Sequence, residues 1–257
     1  MRCTILVAAM AFLLPAAAVA NTVVVTGTNP DGWAFSNTDN HGINASGGFV
    51  AGPATPPLGT GSAQFIVNDS TSSEILYNLM DQGMAVGDFT GFGYSTYRTS
   101  PSSAVYLPSL QINVSFNGGT SYAGRFAYEP YLTGAPTPAG TWQTWDPMSG
   151  SGWYYSHASG TMACQMSAPC SWSTLMATYA TATVDYGLLF KAGSGWSSFN
   201  GNVDAFTVAT TVSSVTSSTT YDFEAAPEPA SIALLGIAIG SLAMVRRRRR
   251  ATGASAS

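Results

Sequence analysis

Positive charge is almost missing from the middle of this chain. Between residues 21 and 226 the only basic side chains are Arg98, Arg125 and Lys191. Twelve acidic ones oppose them, so this stretch carries a net charge of −9. A surface of that sign repels phosphate backbones, which argues against nucleic acid as a partner. Histidine is scarce as well: His41 and His157 both sit among Gly, Ser and Asn residues. A hydrolytic triad needs nucleophile, base and orienting acid in one place. The chain has no G-x-S-x-G elbow, no H-E-x-x-H zinc motif, no P-loop and no dinucleotide fingerprint. Closely spaced carboxylates of the kind a glycosidase needs are absent too; Glu74 and Glu129 stand alone and read as ordinary surface carboxylates. Asn200, Asn202 and Asp204, with Asp185, offer oxygens that calcium accepts, but the same residues serve turns. No cofactor and no metal site is expected.

Cysteine is rare. Cys3 lies in the N-terminal segment, and Cys164 and Cys170 stand with five residues between them. A bridge between the last two would close a tight loop in an oxidising compartment. Metal ligation is the alternative, but no second Cys or His pair stands at ligand spacing.

Long apolar runs are also lacking, except for one short run at each end. Arg2 precedes an uncharged stretch from Ile5 to Leu14, Pro15 breaks it, and Ala18-Val19-Ala20 places small residues where a signal peptidase needs them. This pattern predicts a secretory signal over 1–20, cleaved before Asn21. The run is too short for a bilayer that needs about 20 residues. At the other end, Pro227-Glu228-Pro229 is followed by an apolar segment over 230–245 and then by Arg246, Arg247, Arg248, Arg249 and Arg250. As a helix this segment rises about 24 Å, short of a hydrocarbon core of about 30 Å. Snorkelling arginines and local thinning can close that gap. Five arginines resist crossing, so the tip over 251–257 is expected to stay in the cytoplasm.

Pro227-Glu228-Pro229, a short apolar helix and an arginine cluster resemble the PEP-CTERM sorting signal of exopolysaccharide-producing bacteria. The resemblance covers about the last 25 to 30 residues. It implies handling by an exosortase, while the N-terminal signal predicts transit through the Sec translocon and signal peptidase. A stay in the inner membrane would precede release to the cell surface, with possible exopolysaccharide contact. Whether the tail is cleaved or kept as an anchor stays open.

What lies between the ends is rich in Ser, Thr, Gly and aromatic residues. Strand patterns recur about every ten residues: 22–25, 33–35, 63–67, 91–98, 110–116, 122–128, 140–146, 153–155, 183–190, 202–212 and 219–223. Alternation over Gly91 to Arg98 puts Phe92, Tyr94, Thr96 and Arg98 on one side. The segments 110–116 and 122–128, joined through Asn117-Gly118-Gly119, form the best hairpin. Residues 37–61 read as loop, and 210–220 as a polar joint between the last two strands. One helix is expected over 171–179, capped by Ser171 or Ser173, with Trp172, Leu175, Met176 and Tyr179 on one face.

The pattern predicts an all-β, antiparallel, jelly-roll-like sandwich over 21–210, with a final strand and linker over 211–226. Gly195-Trp196-x-x-Phe199, the strand Val203-Asp204-x-Phe206 and then Tyr221-Asp222-Phe223-Glu224 resemble closing strands of secreted bacterial jelly-roll domains. Trp142, Trp145, Trp153, Tyr154 and Tyr155 either fill the core or offer ring faces to a sugar. Trp142 and Trp145, three apart, face opposite ways on a regular strand. The expected role is non-enzymatic: a structural or adhesive surface protein. A polysaccharide-active hydrolase is the alternative.

Overall fold

In the computed structural model the described residues are 19–39, 42–99, 105–116, 121–156 and 163–226. The strands are β1 (Val19–Val25), β2 (Trp33–Ser36), β3 (Ala45–Ala51), β4 (Gly61–Val67), β5 (Ser73–Asn78), β6 (Phe89–Arg98) and β7 (Ser109–Ser115). They continue with β8 (Gly124–Tyr128), β9 (Trp142–Trp145), β10 (Trp153–Ser156), β11 (Thr183–Gly193), β12 (Phe199–Val212) and β13 (Val215–Phe223). One helix, α1 (Trp172–Thr178), interrupts them. The chain divides into compact units at Met1–Ala225 and Ala226–Ser257, and of the second only Ala226 is described.

Two sheets make a sandwich, as the strand spacing predicts. The seven-stranded sheet runs β1-β13-β12-β4-β3, with β6 on the other side of β12 and β9 beyond it. The six-stranded sheet runs β10-β8-β7-β11-β5-β2. Aromatic rings fill the space between them. Trp33 of one sheet lies 5.8 Å from Phe206, 5.4 Å from Tyr221 and 5.3 Å from Phe223 of the other, each edge to face. Edge-to-face contact matches the ring quadrupoles and adds to the area buried.

β12 organises the larger sheet. Its first half pairs with β4 and its second half with β13, while β6 follows it on the opposite flank. The change of partner coincides with a register shift between Asp204 and Thr207, where Ala205 has a positive φ of 54°. An extra residue at such a bulge bends the strand. β13 is thereby held on both sides, antiparallel to β12 and parallel to β1.

The predicted hairpin forms, with Leu110 opposite Tyr128 and Val114 opposite Gly124. α1 is capped by Ser171, whose side chain accepts from Thr174 N at 3.2 Å. Trp172 and Leu175 are buried, and Met176 and Tyr179 pack on the same core. The Cys164–Cys170 disulfide is present. Its loop hydrogen-bonds along the outer edge of β10, with Trp153 N donating to Cys170 O and Cys170 N to Trp153 O.

Three expectations need correcting. Residues 37–61 are not all loop, because β3 lies there. Gly47 and Gly48 disguise it: a Cβ on Gly47 would stand 2.0 Å from the Phe35 ring, so packing excludes the side chains that mark a strand. β5 is absent from the expected strands because its apolar stretch is only Ile75-Leu76-Tyr77, between the polar Glu74 and Asn78. The joint at 210–220 is a two-residue hairpin turn. Ser213 and Ser214 both have positive φ, 49° and 67°, the pattern of a type I′ turn.

Candidate functional site

The outer face of the six-stranded sheet carries a cleft of about 710 Å³. Strand alternation supplies its floor. On β7, Leu110, Ile112 and Val114 point into the sandwich, so Gln111 and Asn113 point outward. Register sets Arg125 of β8 beside Asn113, and Lys191 of β11 beside Ser109. Arg125 and Lys191 converge on one carboxylate. Arg125 grips Asp39 with two hydrogen bonds, of 2.7 and 2.8 Å, and Lys191 Nζ reaches Asp39 Oδ2 at 2.7 Å. Arg125 Nε also donates to Asn113 Oδ1 at 2.8 Å. Burial opposes ionisation of Asp39, but the Arg125 hydrogen bond and the Lys191 charge outweigh it and hold its pKa at about 2.

Glu129 follows β8 at the Ser109 end of the floor. It is 7% exposed; Tyr154 OH donates to its Oε1 at 3.4 Å, and Oε2 has no hydrogen-bond partner among the described residues. Burial pushes its carboxyl up to about 8 against the smaller opposing effects of Tyr154, Ser109 and Lys191. At neutral pH the cleft therefore holds an ionised Asp39 and a protonated Glu129.

The walls are phenolic. Tyr106 stacks on Trp196 with centroids 5.1 Å apart and planes 3° from parallel, and Tyr131 meets Tyr106 edge-on at 5.5 Å. Towards the Asn113 end, Tyr122 and Tyr186 are more than half exposed. Tyr186 owes its position to a break in β11. The register shifts between Val184 and Leu188, and Tyr186 and Gly187 both take positive φ. Gly187 is required there, because a Cβ would lie 1.9 Å from the Asn78 carbonyl oxygen. Met166, inside the disulfide loop, contributes an exposed apolar surface at the rim.

Of the five aromatic residues singled out from sequence, only Tyr154 reaches this cleft. Trp153 and Tyr155 are core residues: Trp153 Nε1 donates to Pro147 O at 2.6 Å, and Tyr155 OH to Ala123 O at 2.7 Å. Trp145 faces the core and bonds Thr96 Oγ1 at 2.8 Å. Trp142, on the opposite side of β9, lies half-buried against Tyr97 in the other sheet. A sugar-facing role for Trp145, Trp153 or Tyr155 is thus corrected to core packing, since their ring faces are covered. Glu74 and Glu129 are likewise not surface groups; Glu74 is 2% exposed.

Of the residues considered for calcium, Asn200 and Asp204 have their oxygens engaged within the fold, while Asp185 Oδ2 is buried without a hydrogen-bond partner among the described residues. Asn202 Nδ2 donates to Ser62 Oγ, Asn200 Oδ1 accepts from Gln64, and Asp204 accepts from the amides of Leu58 and Phe223. Among the described residues no group of three His, Cys, Asp or Glu is placed to hold a metal. Ala20 and Asn21 are exposed in β1, beside Ser218 and Thr219 of β13. Ala18, His41, His157, Pro227, Glu228, Pro229, the segment 230–245 and Arg246 to Arg250 lie outside the described residues. No helix among the described residues is long and apolar enough to cross a membrane.

The sequence reading missed most of the cleft. Asp39, Arg125 and Lys191 are far apart in the chain and meet only through strand register. One signal was available: two of the three basic residues in the body fall at outward positions of the two strands that flank β7.

Comparison with known proteins bears on the tail. The family model of the PEP-CTERM protein-sorting motif matches residues 225–250. No curated protein matches the chain in sequence. Among solved structures, the chain is similar to a family 11 carbohydrate-binding module from Clostridium thermocellum, solved with a β-1,3-1,4-mixed-linked tetrasaccharide. That match is 11% identical, covers 68% of this chain and 86% of the module, and has a TM-score of 0.42. A second similar chain comes from work on promiscuous carbohydrate-binding modules of the β-sandwich superfamily. It is 13% identical, with 68% of this chain and 56% of that one covered, at a TM-score of 0.34. Likenesses this distant carry neither fold nor ligand to this chain; the sandwich rests on its own strand pairings. The residues at 225–250 mark an exported chain that is sorted through its C-terminus.

Proposed function

We propose that this protein is a cell-surface protein that holds a saccharide in the cleft of its six-stranded sheet, after export and exosortase sorting. The observation that carries the reading is the lining of that cleft. Flat phenolic rings, Tyr106 and Tyr131 at one end, backed by the buried Trp196, and Tyr122 and Tyr186 at the other, flank a floor of planar polar groups. A sugar presents C–H faces that pack on such rings, and hydroxyls that exchange hydrogen bonds with Asn, Gln, Arg and carboxyl groups. A cleft of about 710 Å³ suits a short oligosaccharide segment.

In this reading residues 1–20 are removed before Asn21. The segment 230–245 holds the chain in the inner membrane, and the exosortase acts at Pro227-Glu228-Pro229. Mass spectrometry of the released protein is expected to find a C-terminus near residue 227. Replacing the three motif residues by alanine should leave full-length chain in the membrane, and unchanged release would remove the sorting claim. For the cleft, glycan-array binding by the wild-type protein should be lost in a Tyr122→Ala/Tyr186→Ala double variant. Equal binding by both proteins would place the site elsewhere.

One observation favours a second reading, a polysaccharide-active hydrolase. The cleft holds two carboxyls in opposite protonation states, as acid and base pairs require. Against it, both Asp39 oxygens are occupied by Arg125 and Lys191. Release of reducing ends from a bound polysaccharide, abolished by Glu129→Gln, would decide for the hydrolase.

A further inference from the structure

We infer that the saccharide taken by the cleft is an acidic one, whose carboxylate or sulfate sits against Arg125 and Lys191. This rests on the cleft being a saccharide site and adds the chemical class of its ligand.

Charge distribution is the first argument. The body has three basic side chains against twelve acidic ones. Arg98 is buried in the seven-stranded sheet, where its guanidinium donates to Thr137 O. The other two both stand on the cleft floor, with only Asp39 between them. A buried ion pair needs one cation per carboxylate, and here two share one. With Glu129 protonated, the floor carries a surplus of one positive charge inside a body that is otherwise strongly negative. Distant carboxylates do not cancel this for a bound ligand, because salt at physiological strength screens charge beyond about 8 Å.

Hydrogen-bond capacity is the second. Arg125 has five N–H groups and Lys191 has three. Among the described residues, Arg125 directs one to Asn113 and two to Asp39, and Lys191 directs one to Asp39. Both side chains retain donors, and both keep some exposure, 17% and 12%. Charge-assisted bonds from such donors to an oxyanion are shorter and stronger than neutral ones.

Glu129 is the third. Its Oε2 is buried and lacks a partner among the described residues, and the residue lines the cleft. As a neutral carboxyl it can donate to an anion, whereas an ionised carboxylate there would repel one. The groups around it are Tyr154 from β10, Tyr131 from the turn after β8, Ser109 from β7 and Lys191 from β11. None of these is a second carboxylate.

The test is calorimetry on the purified full-length chain in detergent micelles, at pH 6 and at pH 9. The probes are oligogalacturonate, its carboxyl-reduced neutral counterpart, a sulfated dextran oligomer and a neutral mixed-linked β-glucan oligomer. The acidic oligomers should bind at least tenfold more tightly than the carboxyl-reduced one at pH 6. A preference between carboxylate and sulfate would identify which anion the site selects. Lys191→Gln should remove that advantage and Lys191→Arg should restore it, which separates charge from folding. Glu129→Gln should keep binding at pH 6 and abolish the weakening between pH 6 and pH 9. If the neutral oligomers bind as tightly as the acidic ones, this inference falls while the saccharide reading stands. If no oligomer binds, both fall.

Discussion

Asp39 does more than any other single side chain to define the cleft. It is 10% exposed and holds an arginine and a lysine that are themselves largely covered. Removing one member of such a cluster leaves the others charged and unpaired, and that penalty exceeds what the intact contacts contribute. Asp39→Ala is therefore expected to lower stability by about 2–3 kcal/mol, read as a shift in the denaturant midpoint with unchanged slope. Asp39→Asn should cost less, because the amide oxygen still accepts from Arg125. Ionisation of Asp39 also adds stability above its unfolded pKa of 3.8, and that part is lost as pH falls towards about 2. None of this was legible from Asp39 alone, one of twelve scattered acids. By contrast, the fate of Trp153 and Tyr155 was half-legible: alternation assigns them one face of β10, but which face is the core depends on partners remote in sequence.

Single elements were readable where their signals are local. The 110–116 and 122–128 hairpin, the alternation of β6 and the Ser171 cap of α1 each follow from neighbours within a few residues. β3 and β5 were hidden because long-range packing overrides local composition: Phe35 demands Gly47, and β5 tolerates Glu74 in its buried run. The β12–β13 turn offers a quantitative check at this scale. Ser213 and Ser214 occupy positions with positive φ, a conformation that Asn-Gly adopts with less strain. Relief of left-handed strain, about 1–2 kcal/mol per residue, outweighs the chain entropy that Gly adds, so replacing Ser213-Ser214 by Asn-Gly should raise stability by about 0.5–1 kcal/mol, visible as a higher thermal midpoint. No gain would mean that the turn does not limit this hairpin.

For the molecule as a whole, three carboxyls set an unusual dependence on acidity. Burial raises Glu74 to about 7, Asp204 to about 7 and Glu129 to about 8. Each keeps its proton in the folded chain at a pH where the unfolded chain has lost it. The folded state thus binds more protons between about pH 4 and pH 8, and stability falls as pH rises through that window. A tenfold difference in proton affinity between the folded and unfolded chain corresponds to about 1.4 kcal/mol, so the body is expected to lose at least about 3 kcal/mol between pH 5 and pH 8. Asp39 acts in the opposite sense only below pH 4, which places the optimum near pH 4 to 5. Thermal melts across pH 3 to 9 would check the position of that maximum, and a maximum at pH 7 or above would contradict it.

The placement of β13 matters for a chain that is sorted through its C-terminus. The chain leaves the sandwich at Phe223, where Glu224 N bonds Val25 O and the Glu224 carboxylate bonds Thr60. β13 lies between β1 and β12, paired with each along most of its length. Tension in line with this strand loads both rows of rungs at once and cannot peel them singly. A mooring of this geometry resists drag by shear along the strand rather than by peeling.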